Sequence, residues 1–367
     1  MAVHEIRIDP NRPLSKQPET GHNRWRPDIP PVVRCQSGDE VIFETRDALD
    51  GQCTPLTTVD EVATIDLSVV HPLTGPIHVA GAEPGDVLEV EILEVVPDTY
   101  GFTVQIPGFG FLRDEFPDPY VVHWDLADGW ATSAQLPGVR IPAAPFLGTI
   151  GLSPGVESLR RITRQERAAL DAGGAVMMPL ETNAVPSDPA IAATALRTIP
   201  PRQQGGNVDI KQLGAGTRLF LRVDTPGALF SAGDAHFAQG DGEVCGTAIE
   251  TRATVRVRFT VHKEWTLTEP QFSRTDYWVA PQYAAPRRFH ATTGRSVARD
   301  GTIRAEDVTL ATRNALLQMI DHLQTRGWSR QQAYAICSVA VDLRVSQVVD
   351  VPHFLVTAFL PEDIFTG

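Results

Sequence analysis

Residues 254–261, TVRVRFTV, carry an apolar side chain at every second position. Successive side chains of a β-strand point to opposite faces, so Val255, Val257, Phe259 and Val261 share one face. This alternation predicts a half-buried strand. The same period recurs in residues 65–69, 88–92 and 219–223, each bounded by Gly, Pro or Asp turn signals. The body of the protein is therefore predicted to be mainly antiparallel β.

Two helices are expected near the C-terminus. Residues 306–326 form one apolar stripe at helical spacing, and Gly327 supplies a stop signal. Ser329 and Gln332 have the spacing of a capping box for the second helix. The sequence then becomes strand-like again, which predicts an αα-hairpin packed on a sheet. Residues 160–172 favour a short surface helix.

The composition excludes several classes of protein. A net charge of -13 over 367 residues gives little support for nucleic-acid binding. The sequence has neither an N-terminal apolar segment typical of a signal peptide nor 18 consecutive apolar residues, which disfavours secretion and membrane spanning. Its four cysteines are far apart and include no CxxC pair, so we expect reduced thiols and a cytoplasmic protein.

We expect two intertwined regions that could form one structural unit. Residues 1–200 form an N-terminal β-rich region that includes the irregular stretch 96–145, a folded loop expected to border a pocket. Residues 201–367 form a β-rich region that carries the GGNVD and GDAH motifs and the helical hairpin.

The segment 233–243, GDAHFAQGDGE, holds the strongest candidate site. Asp234 and His236 leave the same face if this segment is extended, and Asp241 and Glu243 do likewise after the turn. Such strand ends offer a mixed nitrogen and oxygen ligand set, which suits zinc or another divalent cation. The alternative is a solvated hairpin loop with incidental charges.

A second polar segment is residues 205–211, GGNVDIK. Asn207 could hydrogen-bond an amide or an oxyanion, Asp209 could bind a metal or act as a base, and Lys211 could supply positive charge. The alternative is a glycine turn that enters an edge strand with exposed polar residues. Asp47 and His71 add further candidate ligands, each weak alone.

Other hydrolytic and nucleotide-dependent chemistries lack their motifs. The sequence contains no Walker loop, GxGxxG fingerprint or HExxH motif. Cys245, two residues after Glu243, keeps a thiol nucleophile as a minor alternative.

The chain resembles the acetamidase/formamidase family over nearly its whole length. Eight collinear segments carry the resemblance: GHNRWRPDIPPVVRCQSGDEV, TRDALDGQ, VHPLTGPIHVAGAEPGDVLEVEIL, FGFLRDEFPDPYVVHWD, PFLGTIGLSP, GGNVDIKQL, GDAHFAQGDGEVCGTAIE and AYAICSVAVDLRVSQVVDVPH. The resemblance implies a homo-oligomeric enzyme that hydrolyses formamide, acetamide or a close relative. It also implies a β-sandwich-like, jelly-roll-like scaffold with α+β additions and a bound divalent metal, with zinc expected. Before Gly148 stands Leu147, where relatives could carry a smaller or more polar residue, so this position bears on substrate size and not on reaction type.

The family's motif positions fall on six residues, which are Asp47, His71, Asp209, Asp234, His236 and Glu243. On this basis Asp47, His71, Asp234 and His236 are the expected metal ligands, with Asp209 as an alternative ligand to Asp47. Glu243 is expected to move the proton, with Asp209, Asn207 and Lys211 as the other catalytic residues.

Two rival functions stay open. One is a non-catalytic β-sandwich that holds Ca²⁺ in the acidic turn and presents Tyr120, Trp124 and Trp130 to a ligand. The other is hydrolysis of a larger or cyclic amide, which needs the same chemistry and a different pocket.

Overall fold

A computed structural model describes residues 2–276 and 288–366. The chain is mostly β, with 35% of residues in strands and 18% in helices. The strands are β1 Val3–Ile6, β2 Gly21–His22, β3 Arg24–Trp25, β4 Val33–Gln36, β5 Glu40–Glu44, β6 Leu73–Ala80, β7 Val87–Gln105, β8 Tyr120–Ala127, β9 Trp130–Thr132, β10 Arg140–Pro142, β11 Phe146–Leu152, β12 Leu196–Arg197, β13 Pro201–Arg202, β14 Gly205–Asn207, β15 Arg218–Arg222, β16 Phe230–His236, β17 Glu250–His262, β18 Gln271–Ser273, β19 Phe289–Arg295, β20 Asp342–Gln347 and β21 Leu355–Pro361. The helices are α1 Val59–Val62, α2 Val156–Asp171, α3 Pro189–Ala192, α4 Val308–Thr325 and α5 Arg330–Ala340. Short 3-10 turns occupy Leu14–Lys16, Pro18–Thr20, Leu67–Val69 and Glu362–Ile364.

A large sheet of 16 strands forms the body, and its main path is β10-β9-β8-β7-β17-β16-β11-β14-β13. Most of its pairs are antiparallel, while β1 with β5 and β4 with β6 are parallel. In β17 the predicted alternation is confirmed, because Val255, Val257 and Phe259 are fully buried in the core of this sheet. On the opposite face Arg256 and Arg258 form ion pairs with Glu40.

Three neighbouring strands bring the polar motifs together. β11 lies between β14 and β16, so Thr149 pairs with both Asn207 and Gly233. Gly148 leaves room at this point, because a Cβ there would lie 2.5 Å from Asp209 Oδ1. The preceding residue, Leu147, is fully buried in the core of the sheet. It therefore packs in the core, and the expectation that its position sets substrate size gains no support from this packing.

The C-terminal part is a three-stranded sheet, β19-β21-β20, with α4 and α5 packed into one apolar core beside it. Both helices lie where the sequence predicted them. The capping box of α5 is confirmed, since Ser329 Oγ accepts from the Gln332 amide and Gln332 Oε1 accepts from the Ser329 amide. The predicted surface helix is α2, in which Ile162 is buried.

The predicted strand over residues 65–69 was wrong, because a 3-10 turn occupies Leu67–Val69. Asp66 caps the turn by accepting from the Ser68 amide at 2.8 Å. The buried guanidinium groups of Arg24 and Arg197 donate to the carbonyl oxygens of Ser68 and Leu67. These contacts satisfy the backbone locally, so the segment needs no strand partner.

The stretch 96–145 is not one irregular loop, because it contains the end of β7 and all of β8, β9 and β10. Its glycines and prolines instead mark the turns between these strands. Within it, the turn at residues 106–111 contributes Ile106 and Phe109 to a cavity wall.

The four cysteines are free and buried, as the absence of CxxC pairs predicted. Among the described residues, the helices are too short or too polar to cross a membrane.

Candidate active site

The candidate site is centred on His236, at the end of β16, which is 1% exposed. Its ring packs edge-on against Phe146, with the ring centroids 5.0 Å apart. Nδ1 lies 3.0 Å from Gln239 Oε1, and Gln239 donates through Nε2 to the Asp209 carbonyl at 2.9 Å. The imidazole is therefore held in one orientation, with Nε2 directed at the surrounding carboxylates.

Three carboxylates surround His236 Nε2. Asp234 Oδ1 lies at 3.3 Å, Glu250 Oε2 at 3.2 Å and Glu243 Oε1 at 3.9 Å. Glu250 stands opposite His236 in the β16–β17 register, and its Oε1 accepts from the Ala248 amide at 2.8 Å.

A second layer of contacts lies around Asp234. Its Oδ2 is 3.1 Å from Thr149 Oγ1 and 3.8 Å from His71 Nε2. Thr149 Oγ1 is also 2.8 Å from Asn207 Oδ1. The hydroxyl of Thr149 therefore links the motif on β14 to the motif on β16.

Three acids of the site have left-handed backbone conformations, with φ of 46° at Asp209, 56° at Asp234 and 43° at Glu243. Such φ values are uncommon outside glycine and cost of order 1–3 kcal/mol each. They persist only where surrounding contacts enforce them, and they concentrate at functional sites.

Burial dominates the electrostatics of the cluster. Burial raises the pKa of Asp209 and of Glu250 to about 7 each, and it raises the pKa of Glu243 well above its ordinary value. Burial opposes ionisation of Asp234 too, but the neighbouring His71 and His236 lower the pKa of this carboxyl. Burial likewise opposes protonation of His236, yet the charges of Glu250 and Asp234 raise its pKa. Asp209 and Glu250 can therefore exchange protons with a base near neutral pH, and a bound cation would displace their protons to solvent.

Within the described part of the chain, two groups of three side chains could each hold a metal ion, and His236 belongs to both. They are Asp209, Asp234 and His236, and His236, Glu243 and Glu250, with candidate ligand atoms within 4.8 Å of one another in each group. Asp209 Oδ1 is buried without a hydrogen-bond partner, and the 3.2 Å contact of Glu250 Oε2 with His236 Nε2 lacks hydrogen-bond geometry. A bound cation would satisfy these oxygens, since a buried acceptor left without a partner costs about 1–3 kcal/mol.

Two predicted residues lie apart from this cluster. The Asp47 carboxylate accepts from the backbone amides of Leu49 and Gly51 at 3.0 to 3.2 Å, within its own turn. The Lys211 ammonium forms ion pairs with Asp342 and, at 3.5 Å, with Asp241. Lys211 thereby ties the 205–211 segment to β20 and is directed away from His236.

Sequence reasoning missed Glu250 and Thr149. Glu250 ends the motif GDAHFAQGDGEVCGTAIE, but only the pairing of β16 with β17 brings it to His236. Its position at the start of the strongly alternating strand was the available signal. Thr149 carried no signal beyond its place in the motif PFLGTIGLSP.

The cluster opens into an inner cavity of about 50 Å³. The polar part of the lining is His71, Asn207, Asp234, Glu243, Thr247 and Glu250. The apolar part is Ala48, Leu49, Leu67, Val70, Ile106, Phe109 and Ile199. A larger outer cavity of about 540 Å³ lies beyond the turn that carries Asp47, and Glu250 lines both cavities.

The geometry disfavours two alternatives, a thiol nucleophile at Cys245 and the presentation of Trp124 to a ligand. Cys245 is buried, which raises the pKa of its thiol, and its Sγ contacts the carbonyl oxygens of Val104 and Thr247. Trp124 is fully buried and donates to Thr103 Oγ1 at 3.0 Å, so it is not presented to a ligand.

Comparisons with known proteins place this arrangement in a family. The model of the acetamidase/formamidase family matches residues 7–367. The acetamidase of Mycolicibacterium smegmatis is 35% identical over 361 residues, which cover 90% of this chain and 87% of the relative. The formamidase of Methylophilus methylotrophus is 33% identical over 387 residues, which cover 98% of this chain and 93% of the relative.

Among solved structures, the gamma lactamase from Delftia acidovorans superposes with a TM-score of 0.93 at 34% identity, over 99% of this chain and 94% of that chain. The family model spans every residue of the site, and the superposition extends over almost the whole chain. The resemblance seen in the eight sequence segments is confirmed, and the chain belongs to the acetamidase/formamidase family.

Proposed function

We propose that this protein hydrolyses the C–N bond of a small aliphatic amide, formamide or acetamide, to the carboxylate and ammonia. The observation that carries the proposal is the inner cavity, which joins a wall of buried acids and histidines to an apolar wall in about 50 Å³. Family relatives named acetamidase and formamidase support it. An unactivated amide needs its carbonyl polarised and its leaving nitrogen protonated, and the polar wall offers groups for both tasks.

The residues present fit a divalent cation. Asp209, Asp234 and His236 would hold it, because their candidate ligand atoms converge and Asp209 Oδ1 is buried without a partner. His71 lies beside Asp234 and would support the same ion, whereas Asp47 would act through the turn that borders the cavity. Mixed imidazole and carboxylate ligation favours zinc over calcium. When bound, zinc lowers the pKa of water and polarises a carbonyl oxygen.

Glu243 is the proposed proton carrier. Its carboxyl lies in the inner cavity near His236, and burial raises its pKa, which makes its carboxylate a stronger base toward water. The same carboxyl then delivers the proton to the leaving nitrogen. Glu250 faces it across His236 and is proposed to hold the imidazole in place.

Asn207 is proposed to bind the amide oxygen as charge develops on it. The contact of its Oδ1 with Thr149 Oγ1 orients the side chain and leaves the NH₂ group to donate to substrate. Lys211 is proposed to act at a distance, because its ion pairs with Asp241 and Asp342 position the 205–211 segment.

A cyclic amide is a second candidate substrate. The TM-score of 0.93 and the 34% identity to a protein named gamma lactamase favour this alternative. Ring opening of a lactam releases an amino acid and no ammonia, so product analysis separates the two substrates.

Further proposals concern the architecture, the assembly and the cellular location of the protein. We propose a jelly-roll-like β-sandwich with α+β additions and a C-terminal αα-hairpin, in which residues 1–200 and 201–367 form one intertwined unit. The pairing of β7 with β17 across these two regions supports the single unit. We also propose a cytoplasmic homo-oligomer, and light scattering of the purified protein measures the subunit number.

The test is product formation from formamide, acetamide, propionamide and 2-pyrrolidinone, with the metal content determined on the same sample. Ammonia release that falls on chelation and returns with Zn²⁺ supports a metal-dependent linear amidase. Exclusive opening of 2-pyrrolidinone assigns the lactam reaction instead. Bound Ca²⁺ with no turnover of any amide supports the non-catalytic alternative.

A further inference from the structure

The apolar wall of the inner cavity is closed on one side by Phe109. Most of its apolar neighbours are short aliphatic chains, while Phe109 is the aromatic member of the lining. Phe109 is half-buried, as are Leu67 and Ile199, so these three side chains form the solvent side of the wall. An amide whose polar group meets Glu243 and Asn207 would place its acyl chain against the apolar wall that includes Phe109.

The backbone around Phe109 is fastened to the segment that carries Glu243. The Phe109 amide donates to the Ile106 carbonyl at 3.0 Å, and the Phe111 amide donates to the Val244 carbonyl at 2.9 Å. The Gly246 amide donates to the Glu243 carbonyl at 2.8 Å. The turn with Phe109 and the turn with Glu243 are therefore joined by the main-chain hydrogen bond from Phe111 to Val244.

The ring of Phe109 lies directly on Gly246. A Cβ at Gly246 would approach Phe109 Cδ1 to 2.5 Å and Cε1 to 2.6 Å. Gly246 has φ of 93°, so both its conformation and its lack of a side chain suit this contact. The ring consequently sits over the turn that carries the proposed proton carrier.

Tyr334 on α5 forms hydrogen bonds with the backbone next to both turns. Its hydroxyl accepts from the Leu112 amide at 2.9 Å and donates to the Val244 carbonyl. Tyr334 is 1% exposed and stacks on Phe116 with ring centroids 4.1 Å apart. Because this support is buried and doubly hydrogen-bonded, it fixes the backbone on either side of the contact between Phe109 and Gly246.

We propose that Phe109 is a specificity-determining residue that limits the acyl chain to one or two carbons. The proposal rests on the proposed amide hydrolysis and deepens it by assigning the substrate class as short, uncharged linear amides. Longer linear amides are rejected because the acyl group meets the ring of Phe109. Leu147, fully buried in the core, takes no part in this selection.

The expected change in substrate preference follows from the contribution of one methylene group to kcat/KM in a hydrophobic pocket. One methylene accommodated or excluded changes kcat/KM by about 10- to 200-fold. Phe109→Ala should therefore raise the ratio of kcat/KM for butyramide to that for acetamide by at least about 10-fold. Phe109→Leu, which removes less volume, should shift the ratio in the same direction by a smaller factor and serves if the alanine variant does not fold.

The experiment compares both variants with wild type and with Phe111→Ala, a matched control in the same loop that packs on another apolar cluster. Turnover is measured on formamide, acetamide, butyramide and 2-pyrrolidinone, and calorimetry measures the affinity for the same amides. A rise in relative butyramide turnover and affinity in the Phe109 variants, absent in Phe111→Ala, supports the proposal.

An equal loss on every amide in the Phe109 variants, with wild-type turnover intact, would overturn the specificity role and leave the proposed function standing. A wild type without turnover would instead refute the proposed function. In that case the affinity ranking still decides the role of Phe109, since a cavity limited by its ring must bind longer amides more tightly once the ring is removed.

Discussion

Gly148→Ala is the sharpest test of the site geometry. A Cβ at this position would lie 2.5 Å from Asp209 Oδ1 and 2.7 Å from both Asp234 Oδ2 and His236 Cε1. The φ of Gly148 is outside the left-handed region, so the backbone accepts alanine and the whole effect comes from crowding in the site. Ordinary contacts begin at 3.4 Å, so these groups must move by about 0.7 to 0.9 Å.

A misplacement of about 1 Å in a catalytic arrangement costs about 10²-fold in rate, and overpacking costs about 1–3 kcal/mol of stability. We therefore expect Gly148→Ala to fold, to lose about 10²-fold in kcat/KM for acetamide and to bind less metal. The assay is ammonia release together with metal analysis and thermal unfolding. Gly174→Ala is the matched control, because its Cβ would meet the Ala169 carbonyl oxygen at 2.9 Å far from the site. A Gly148→Ala enzyme within threefold of wild type would refute the placement of Asp209, Asp234 and His236 around one reaction centre.

Three further predictions concern protons and metal. Glu243→Gln should keep its metal content and lose about 10²- to 10⁴-fold in kcat, because an amide side chain cannot carry the proton; near-normal ammonia release would remove Glu243 from this role. Removal of the metal should abolish turnover and lower the unfolding midpoint, since a ligand at 100 times its Kd contributes about 2.7 kcal/mol; full activity in metal-free protein would contradict the proposed chemistry. Burial raises the pKa of Asp50 to about 6, above its unfolded value of about 4, so its contribution to stability is present below pH 4 and is lost as pH rises through 6. Asp50→Asn should therefore gain stability relative to wild type as pH rises from 4 to 7, by up to about 3 kcal/mol, in thermal unfolding across this range; a difference independent of pH would contradict the raised pKa.

Local sequence patterns determined the elements that neighbouring residues or a single apolar face stabilise. The alternation in β17 and the capping box of α5 both appear in the structure, because a strand face and a helix start are encoded by neighbouring residues. The same reasoning failed at residues 65–69, where hydrogen bonds from the distant Arg24 and Arg197 stabilise a 3-10 turn. The family, too, was readable from the order of eight motifs.

Only the tertiary structure decided which polar residues meet. Asp234 and His236 share one strand, so their proximity was readable from spacing. Glu250 reaches His236 through the register of β16 against β17, and Thr149 reaches both polar motifs through the pairing of β11. Lys211 reads as a site residue in sequence, yet ion pairs with Asp241 and Asp342 draw its side chain away. Strand register and long-range ion pairs depend on residues far apart in the chain, so local spacing predicts the types of groups in this site and not the partners each one finds.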